Sequence, residues 1–161
     1  MASAPLDVVF FEVRGLRCAL PLAVIRAVYP MCGVTPVPLA PAVLRGIAPL
    51  AGQILPILDL DQCFQSSGGE AFVDANRFAL KDKLLLIEVS PELGKEPVRA
   101  ALAVEKHVAI GSVDERHSRP PPARPSFLAA TILDAGGPAL LLDAEKTMNY
   151  VRESISAVLG P

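Results

Sequence analysis

The chain carries, at residues 43–64, the stretch VLRGIAPLAGQILPILDLDQCF, which occurs a second time in altered form. The second copy, at residues 127–148, reads FLAATILDAGGPALLLDAEKTM and aligns with the first without a gap. Five paired positions are identical, and they include the pairs Gly52 and Gly136, and Asp59 and Asp143. Each copy predicts an apolar strand, a tight glycine turn and a second apolar strand that ends in aspartate. Chance similarity between two apolar stretches is the alternative explanation.

A weaker match precedes each copy. It pairs FEV at 11–13 with IEV at 87–89, and RCAL at 17–20 with RAAL at 99–102. The chain therefore reads as two halves, about 7–65 and 83–148, each with an opening hairpin, a connector and a closing hairpin. Two small five-stranded β-barrels fit this pattern, because closure of a barrel removes exposed strand edges. The two halves could exchange a strand, so the limits of the repeat need not be the limits of the subdomains.

Apolar runs between turn residues predict the individual strands. They lie at residues 8–13, 17–22, 54–60, 84–89, 98–104 and 138–143. Pro56 interrupts one run, which predicts a sheet edge or a bulge there. Gly52 and Gly136 are expected in turns that need a positive φ or a close backbone approach.

Other segments predict different structure. Residues 23–29 suggest a short helical turn that Pro30 ends. Residues 36–41 suggest an extended connector, and residues 118–125 an exposed polyproline spacer. Residues 143–159 predict the one long helix, with Asp143 as its N-cap, because apolar residues recur there every three to four positions. Those residues are Met148, Val151, Ile155, Val158 and Leu159.

Composition limits the classes of function. The chain has 161 residues, of which 52% are apolar, and a net charge of -2. It therefore can bury a core of its own, and it lacks the concentrated positive charge that nucleic acid or an anionic membrane requires. It has no apolar run of the roughly 18 residues that span a bilayer, no signal-peptide pattern and only three scattered cysteines. These features predict a cytoplasmic protein without membrane insertion.

The sequence offers no constellation of catalytic or ligating residues. His107 and His117 have no zinc-site spacing around them, and Cys63 has no local catalytic signature, so a buried inert thiol is expected there. Asp59 and Asp143 follow equivalent strands, so we expect each to cap the next turn or helix instead of acting as an acid or base. No catalytic, cofactor or metal site is predicted. Such a chain works by presenting surfaces, for example a groove at the seam between its two barrels.

The same residues resemble a known family. Gly46, a second glycine six residues later at Gly52, an apolar strand containing Pro56, and the pair Asp59-Leu60 resemble the signature of CheW-like domains. The opening hairpin, the segment after it, the proline-rich connector and the final strand with its helix follow in the family's order, over roughly residues 8–148.

This resemblance implies a single CheW-like domain over residues 1–161, mainly β, with two packed SH3-like five-stranded β-barrel subdomains and a C-terminal helix. It implies a non-enzymatic adaptor of a bacterial chemosensory pathway that links a methyl-accepting chemoreceptor to the regulatory domain of a histidine kinase. No cofactor, nucleic acid or catalysis is expected. The alternative is a small-ligand-binding or regulatory β-barrel module without receptor coupling.

The resemblance also implies a partner-binding surface. Ala27, Val28 and Ala51 mark positions at which the family contacts its partners, although the family usually carries glutamate at the first and arginine at the third. A second set is expected to shape one contact region: Gly46, Leu50, Gly52 and Pro56. Plain turn and bulge chemistry is the alternative explanation for the glycines and the proline. These departures suggest a divergent adaptor of another chemosensory system, or one whose receptor contact has changed.

Overall fold

The computed structural model describes residues 5–13, 15–62, 81–90, 96–105, 108–121, 127–134 and 136–159. Regular structure in these residues consists mainly of β-strands. The elements are β1 (Leu6–Val13), β2 (Leu16–Pro21), β3 (Ile25–Pro30), β4 (Leu44–Leu50), β5 (Gln53–Asp59), β6 (Lys81–Val89), β7 (Val98–Glu105), β8 (Ala109–Val113), β9 (Ser118–Arg119), β10 (Leu128–Asp134), β11 (Gly137–Leu142) and the helix α1 (Ala144–Leu159).

The strands form two sheets, and each sheet takes hairpins from both halves of the sequence. The first sheet has the order β8-β1-β2-β11-β10-β9, and the second has the order β3-β6-β7-β5-β4. Each contains one parallel pair, β2 with β11 and β7 with β5, which joins an opening hairpin to the closing hairpin of the other half. The predicted mainly-β class with a C-terminal helix is confirmed.

The two copies of the repeat have the same backbone geometry. Leu44 pairs with Leu58 in β4–β5, and Leu128 pairs with Leu142 in β10–β11; an irregularity follows each pair at the same place. The N–H of Asp59 donates to the carbonyl of Val43 at 2.9 Å, and the N–H of Asp143 donates to the carbonyl of Phe127 at 2.8 Å. The two hairpins therefore share the position of a bulge and of a closing hydrogen bond.

Both hairpin turns contain a glycine with a positive φ. In the β4–β5 turn Ala51 and Gly52 have φ of 51° and 77°, the left-handed geometry of a two-residue hairpin loop. In the β10–β11 turn the positive φ falls on Gly137, at 101°, instead of on Gly136. A Cβ at Gly136 would lie 2.8 Å from Nη2 of Arg17, which is the end of a flexible side chain and can shift.

The described residues form three apolar clusters, one of which spans both sheets. The shared cluster draws on both sheets and on α1, and includes Phe11, Leu58, Ile87, Leu102 and Phe127. The second-sheet cluster consists of Ala48, Leu50, Leu55, Ile57, Leu84, Leu86, Ala101 and Ala103. The first-sheet cluster consists of Val8, Phe10, Ala19, Val113, Ile132 and Ala139. Strands such as β6 and β7 supply alternate residues to two clusters, which explains their continuous apolar sequence.

The segment at residues 23–29 is not the helical turn that the sequence predicts. Only Leu22–Val24 forms a 3-10 turn, and the chain then enters β3. Tyr29 faces Leu84 and Val28 faces Leu85 across the pairing with β6. This pairing with a strand more than fifty residues away outweighs the weak local preference for a turn.

Pro56 does not lie on an edge strand. β5 lies between β7 and β4, and Pro56 faces Ile47 of β4. The pairing of β5 with β7 starts one residue later, at Ile57, so the missing N–H of the proline falls just before the second ladder. The bulge occurs in β4, between Leu44 and Gly46.

The other local predictions have mixed outcomes. The long helix is confirmed: α1 follows Asp143, and Met148 and Val151 are buried on it. Residues 118–119 form the short edge strand β9 instead of beginning a polyproline spacer, and His117 is exposed in the 3-10 turn before it. Predictions for Cys63, His107 and residues 122–125 lie outside the described residues.

Candidate functional site

All seven predicted partner-binding residues lie in the second sheet, but in two groups. Ala27 and Val28 are on β3, which begins the strand order of that sheet. The other group lies on β4, β5 and their turn: Gly46, Leu50, Ala51, Gly52 and Pro56. Three strands, β6, β7 and β5, separate β3 from β4 in the strand order.

Two members of the second group have structural roles. Gly46 is buried, and a Cβ there would clash with the carbonyl oxygen of Thr35 and lie 2.6 Å from a methyl carbon of Val34. The connector passes this close because Thr35 and Ile47 exchange two backbone hydrogen bonds of 2.9 Å. Leu50 is buried in the second-sheet cluster. Both residues can shape a surface without themselves being exposed on it.

The remaining predicted residues are more accessible. Val28 is 45% exposed on β3, and Ala51 and Gly52 are exposed in the β4–β5 turn. Pro56 is half-buried, and Ala27 packs against the second-sheet cluster from β3. Ile54, which is not among the predicted site residues, is 71% exposed next to this turn.

A chain of charged and polar side chains connects the two groups. Nη2 of Arg26 and Nε of Arg99 donate to the two carboxylate oxygens of Glu88, at 3.3 Å and 2.8 Å. Nη1 of Arg99 also donates to Oε1 of Gln53 at 3.1 Å. We call these four residues the charged chain. It starts next to Ala27 and ends next to Gly52, so it links β3 to the β4–β5 turn through β6 and β7.

The strand register explains why these side chains meet. Glu88 and Arg99 are direct partners across β6 and β7. Glu88 lies two residues beyond Leu86, and Arg99 two residues before Ala101, so both continue the strand face that carries the second-sheet cluster. Arg26 is the extra residue at the irregularity of β3. The charged chain is therefore a polar rim at one end of that cluster.

The electrostatics of the charged chain favour a fixed negative charge between two cations. The hydrogen bond from Arg99, with a further contribution from Arg26, lowers the pKa of Glu88 below its ordinary value. The carboxylate therefore stays ionised at neutral pH. The four residues of the charged chain then carry one positive charge in excess. The side chains of Arg26 and Arg99 are 54% and 41% exposed, whereas that of Glu88 is 15% exposed.

The first sheet contains an equivalent arginine. Arg17 matches Arg99 in the sequence repeat, and its Nη1 donates to the carbonyl of Gly137 in the β10–β11 turn at 3.0 Å. Its guanidinium lies over the ring of Phe10, 4.0 Å from the ring centroid. The two equivalent arginines thus both bond to a closing hairpin, Arg17 to the backbone of its turn and Arg99 to the side chain of Gln53. Sequence reasoning missed this role, although the paired Arg17 and Arg99 of the repeat were a signal for it.

A groove lies at the seam between the sheets, as the sequence analysis anticipates. It has a volume of about 370 Å³. Its lining comes from β2, the 3-10 turn, β6, β10, β11 and the start of α1: Pro21, Val24, Glu88, Val89, Ser90, Ala129, Leu141, Leu142, Asp143, Ala144 and Glu145. Because Glu88 belongs to both, the charged chain borders this groove.

The two repeated aspartates are caps, which confirms the prediction for them. Oδ1 of Asp59 accepts the N–H of Asp61 at 3.0 Å, and Oδ1 of Asp143 accepts the N–H of Lys146 at 2.9 Å. The second of these is the N-cap bond of α1. Cys18 is fully buried, and this burial raises the pKa of its thiol far above the ordinary value. In the described part of the chain, no three His, Cys, Asp or Glu side chains are grouped as a metal site would need.

Comparisons with known proteins agree with this architecture. A family model described as CheW-like domain matches residues 7–152. The crystal structure of the scaffolding protein TtCheW from Thermoanaerobacter tengcongensis is similar in fold, with a TM-score of 0.69 and 20% sequence identity over 90% of this chain and 88% of that one. A search of curated proteins finds no significant match. Among the described residues, no helix has both the length and the apolar character for crossing a bilayer. Since the family model spans most of its length, the chain belongs to the family of CheW-like domains.

Proposed function

We propose that the chain is a non-enzymatic adaptor of a bacterial chemosensory pathway, which couples methyl-accepting chemoreceptors to the regulatory domain of a histidine kinase in the cytoplasm. Membership of the CheW-like domain family supports a scaffolding role. One observation carries the finer proposal. The charged chain links the neighbourhoods of the two groups of predicted partner-binding residues by side-chain hydrogen bonds across the second sheet.

The shared core gives such an adaptor its mechanism. The shared cluster takes side chains from both sheets and from α1, so the two sheets move as one body. A partner bound on one sheet is then held at a fixed position relative to a partner bound on the other. Joining two modest interfaces in one rigid body raises the effective concentration of the second partner, so weak individual contacts suffice for assembly.

The second sheet and the seam groove together form one candidate docking surface. The second sheet presents the charged chain and the exposed turn at Ala51 and Gly52. The seam groove has apolar side chains such as Leu141 and Val24 and borders the same charged chain, so it can accept an apolar edge or helix of a partner. We assign this combined surface to the receptor, and the outer surface of the first sheet to the kinase.

A binding experiment tests the adaptor proposal. The full chain is titrated by calorimetry with the kinase regulatory domain, with the cytoplasmic signalling fragment of a receptor from the same organism, and with both together. We expect dissociation constants of about 1–50 µM for each partner and a ternary complex that co-migrates on gel filtration. A folded chain that binds neither partner at these concentrations would contradict the proposal.

The same samples test the alternative of a ligand-binding module. At about 370 Å³ the seam groove is in the size range of small-molecule sites, which is the observation that favours this alternative. In a thermal-shift screen with nucleotides and amino acids, a compound that binds would raise the melting temperature of the protein reproducibly. A shift with one compound, together with no binding to receptor or kinase, would support the ligand-binding module over the adaptor.

A further inference from the structure

We propose that the charged chain is a docking site for a carboxylate-bearing segment of the receptor, with Arg99 and Arg26 as the binding groups and Glu88 as the residue that positions them. This inference rests on the proposed adaptor function and specifies the chemistry of one of its partners. It assigns the contact to residues of β3, β6 and β7, instead of to the β4–β5 turn, where Ala51 has no functional group.

The hydrogen-bonding capacity of the two guanidinium groups supports this assignment. Each carries five N–H donors in a planar fork that matches a carboxylate. Arg99 uses Nε for Glu88 and Nη1 for Gln53, and Arg26 uses Nη2 for Glu88. Within the described residues, neither arginine makes a further hydrogen bond, so Nη2 of Arg99 and two nitrogens of Arg26 can donate to an incoming carboxylate.

The four residues of the charged chain carry one positive charge in excess, whereas the seam groove beside them is also lined by the carboxylates of Asp143 and Glu145. Glu88 is one carboxylate shared by two cations, and both cations are about half exposed while Glu88 is 15% exposed. A positive excess is therefore on the accessible side and the compensating anion is beneath it. Glu88 also holds both guanidinium groups in place before binding, which reduces the entropy lost when a partner carboxylate arrives.

The equivalent arginine of the first sheet, Arg17, makes contacts that suit a structural role. Arg17 places its guanidinium against the ring of Phe10 and donates to the carbonyl of Gly137. Arg99 has a carboxylate and an amide side chain as its partners, and 41% of its side chain stays exposed. Ile54, the residue after Gln53, is 71% exposed. A partner segment with an acidic residue and an apolar residue could therefore contact the arginines and Ile54 at the same end of the sheet.

Charge-neutralising variants test the site with a matched control. Arg99→Gln and Arg26→Gln each remove one cation of the charged chain. Arg116→Gln removes a more exposed cation, 68% accessible, that pairs with Asp114 near the first sheet. The probes are the cytoplasmic signalling fragment of the receptor and the kinase regulatory domain, each titrated at two NaCl concentrations. Thermal melting checks that each variant is folded. If Arg99→Gln does not fold, Arg26→Gln still tests the site.

We expect Arg99→Gln to weaken receptor binding by about tenfold and Arg26→Gln by about threefold, with Arg116→Gln within about twofold of the unmodified chain. Receptor binding of the unmodified chain should weaken with added NaCl, and less so for Arg99→Gln. Arg99→Lys should recover part of the loss, because it restores the charge but not the fork.

Other results would overturn the inference. If folded Arg99→Gln and Arg116→Gln bind the receptor as tightly as the unmodified chain does, the proposed docking site is wrong. The proposed adaptor function is not affected by that result. Loss of kinase binding instead of receptor binding would overturn the choice of partner. An unmodified chain that binds neither probe would overturn the adaptor function itself, and this site with it.

Discussion

The two sheets are built from equivalent hairpins, yet their equivalent arginines have different surroundings. Arg17 in the first sheet packs on Phe10 and holds a turn carbonyl. Arg99 in the second sheet binds Glu88 and Gln53 and remains 41% exposed. The two arginines thus differ in that one is packed on an aromatic ring, whereas the other stays partly exposed with polar side chains as its partners. Each prediction below tests whether the two sheets are equivalent in structure and different in function.

The largest effects are expected where the sheets are most alike. Leu58 and Leu142 occupy the same position of the repeat, and each is 1% exposed in the shared cluster. Leu58→Ala and Leu142→Ala should each lower the free energy of unfolding by about 2–5 kcal/mol, because each leaves a cavity in the same core. Urea denaturation measures both. A loss of less than about 1 kcal/mol for one and of several for the other would show that the core is not shared equally.

A second pair of variants tests a position where the copies differ. Gly46 corresponds to Ala130 in the other closing hairpin, at the same bulge. Gly46→Ala should cost about 1–3 kcal/mol, because its Cβ would clash with the carbonyl of Thr35 in the connector. Ala130→Gly, the matched control, should cost about 0.5–1 kcal/mol through backbone entropy alone. Equal losses for the two variants would mean that the connector moves away freely and that Gly46 is not needed for its close packing.

The equivalent arginines should separate stability from binding. Arg17→Gln should lower the free energy of unfolding by about 1 kcal/mol, because it removes the cation–π contact with Phe10 and the bond to the turn. Arg99→Gln should leave stability unchanged within error, because half-exposed ion pairs contribute little. Calorimetric melting of both variants measures this. The comparison fails if Arg99→Gln destabilises the chain as much as Arg17→Gln does.

Local signals in the sequence predict the features that depend on a few neighbouring residues. Asp143 as the N-cap of α1 and Gly52 in a hairpin turn follow from capping and turn chemistry. The strand β3 could not be predicted in the same way, because its pairing with β6 is decided by a distant segment.

The charged chain could not be predicted from the sequence either, because it too depends on contacts between distant segments. Arg26, Glu88, Arg99 and Gln53 come from four strands, and nothing in the spacing of these residues along the chain shows that their side chains meet. Their meeting depends on which strands neighbour each other in the second sheet. That strand order combines hairpins from both halves, which the repeat allows but does not specify.

The smallest effect concerns acid pH and two carboxylates that each pair with arginine. Arg99 and Arg26 lower the pKa of Glu88 in the second sheet, and hydrogen bonds from Arg116 lower the pKa of Asp114 to about 2. A lowered pKa in the folded state means that the ionised form is stabilised, so this stability is present above the ordinary pKa and lost as pH falls through the lowered value.

Carboxyl NMR titration of the folded chain should therefore show both groups titrating below their ordinary values of 4.5 and 3.8. In Arg99→Gln the titration of Glu88 should move up while that of Asp114 stays in place, because only the first carboxylate loses its strongest donor. An unchanged Glu88 titration in that variant would mean that Arg99 does not hold the carboxylate in solution, and the contrast between the exposed arginine of the second sheet and the packed arginine of the first would lose its electrostatic basis.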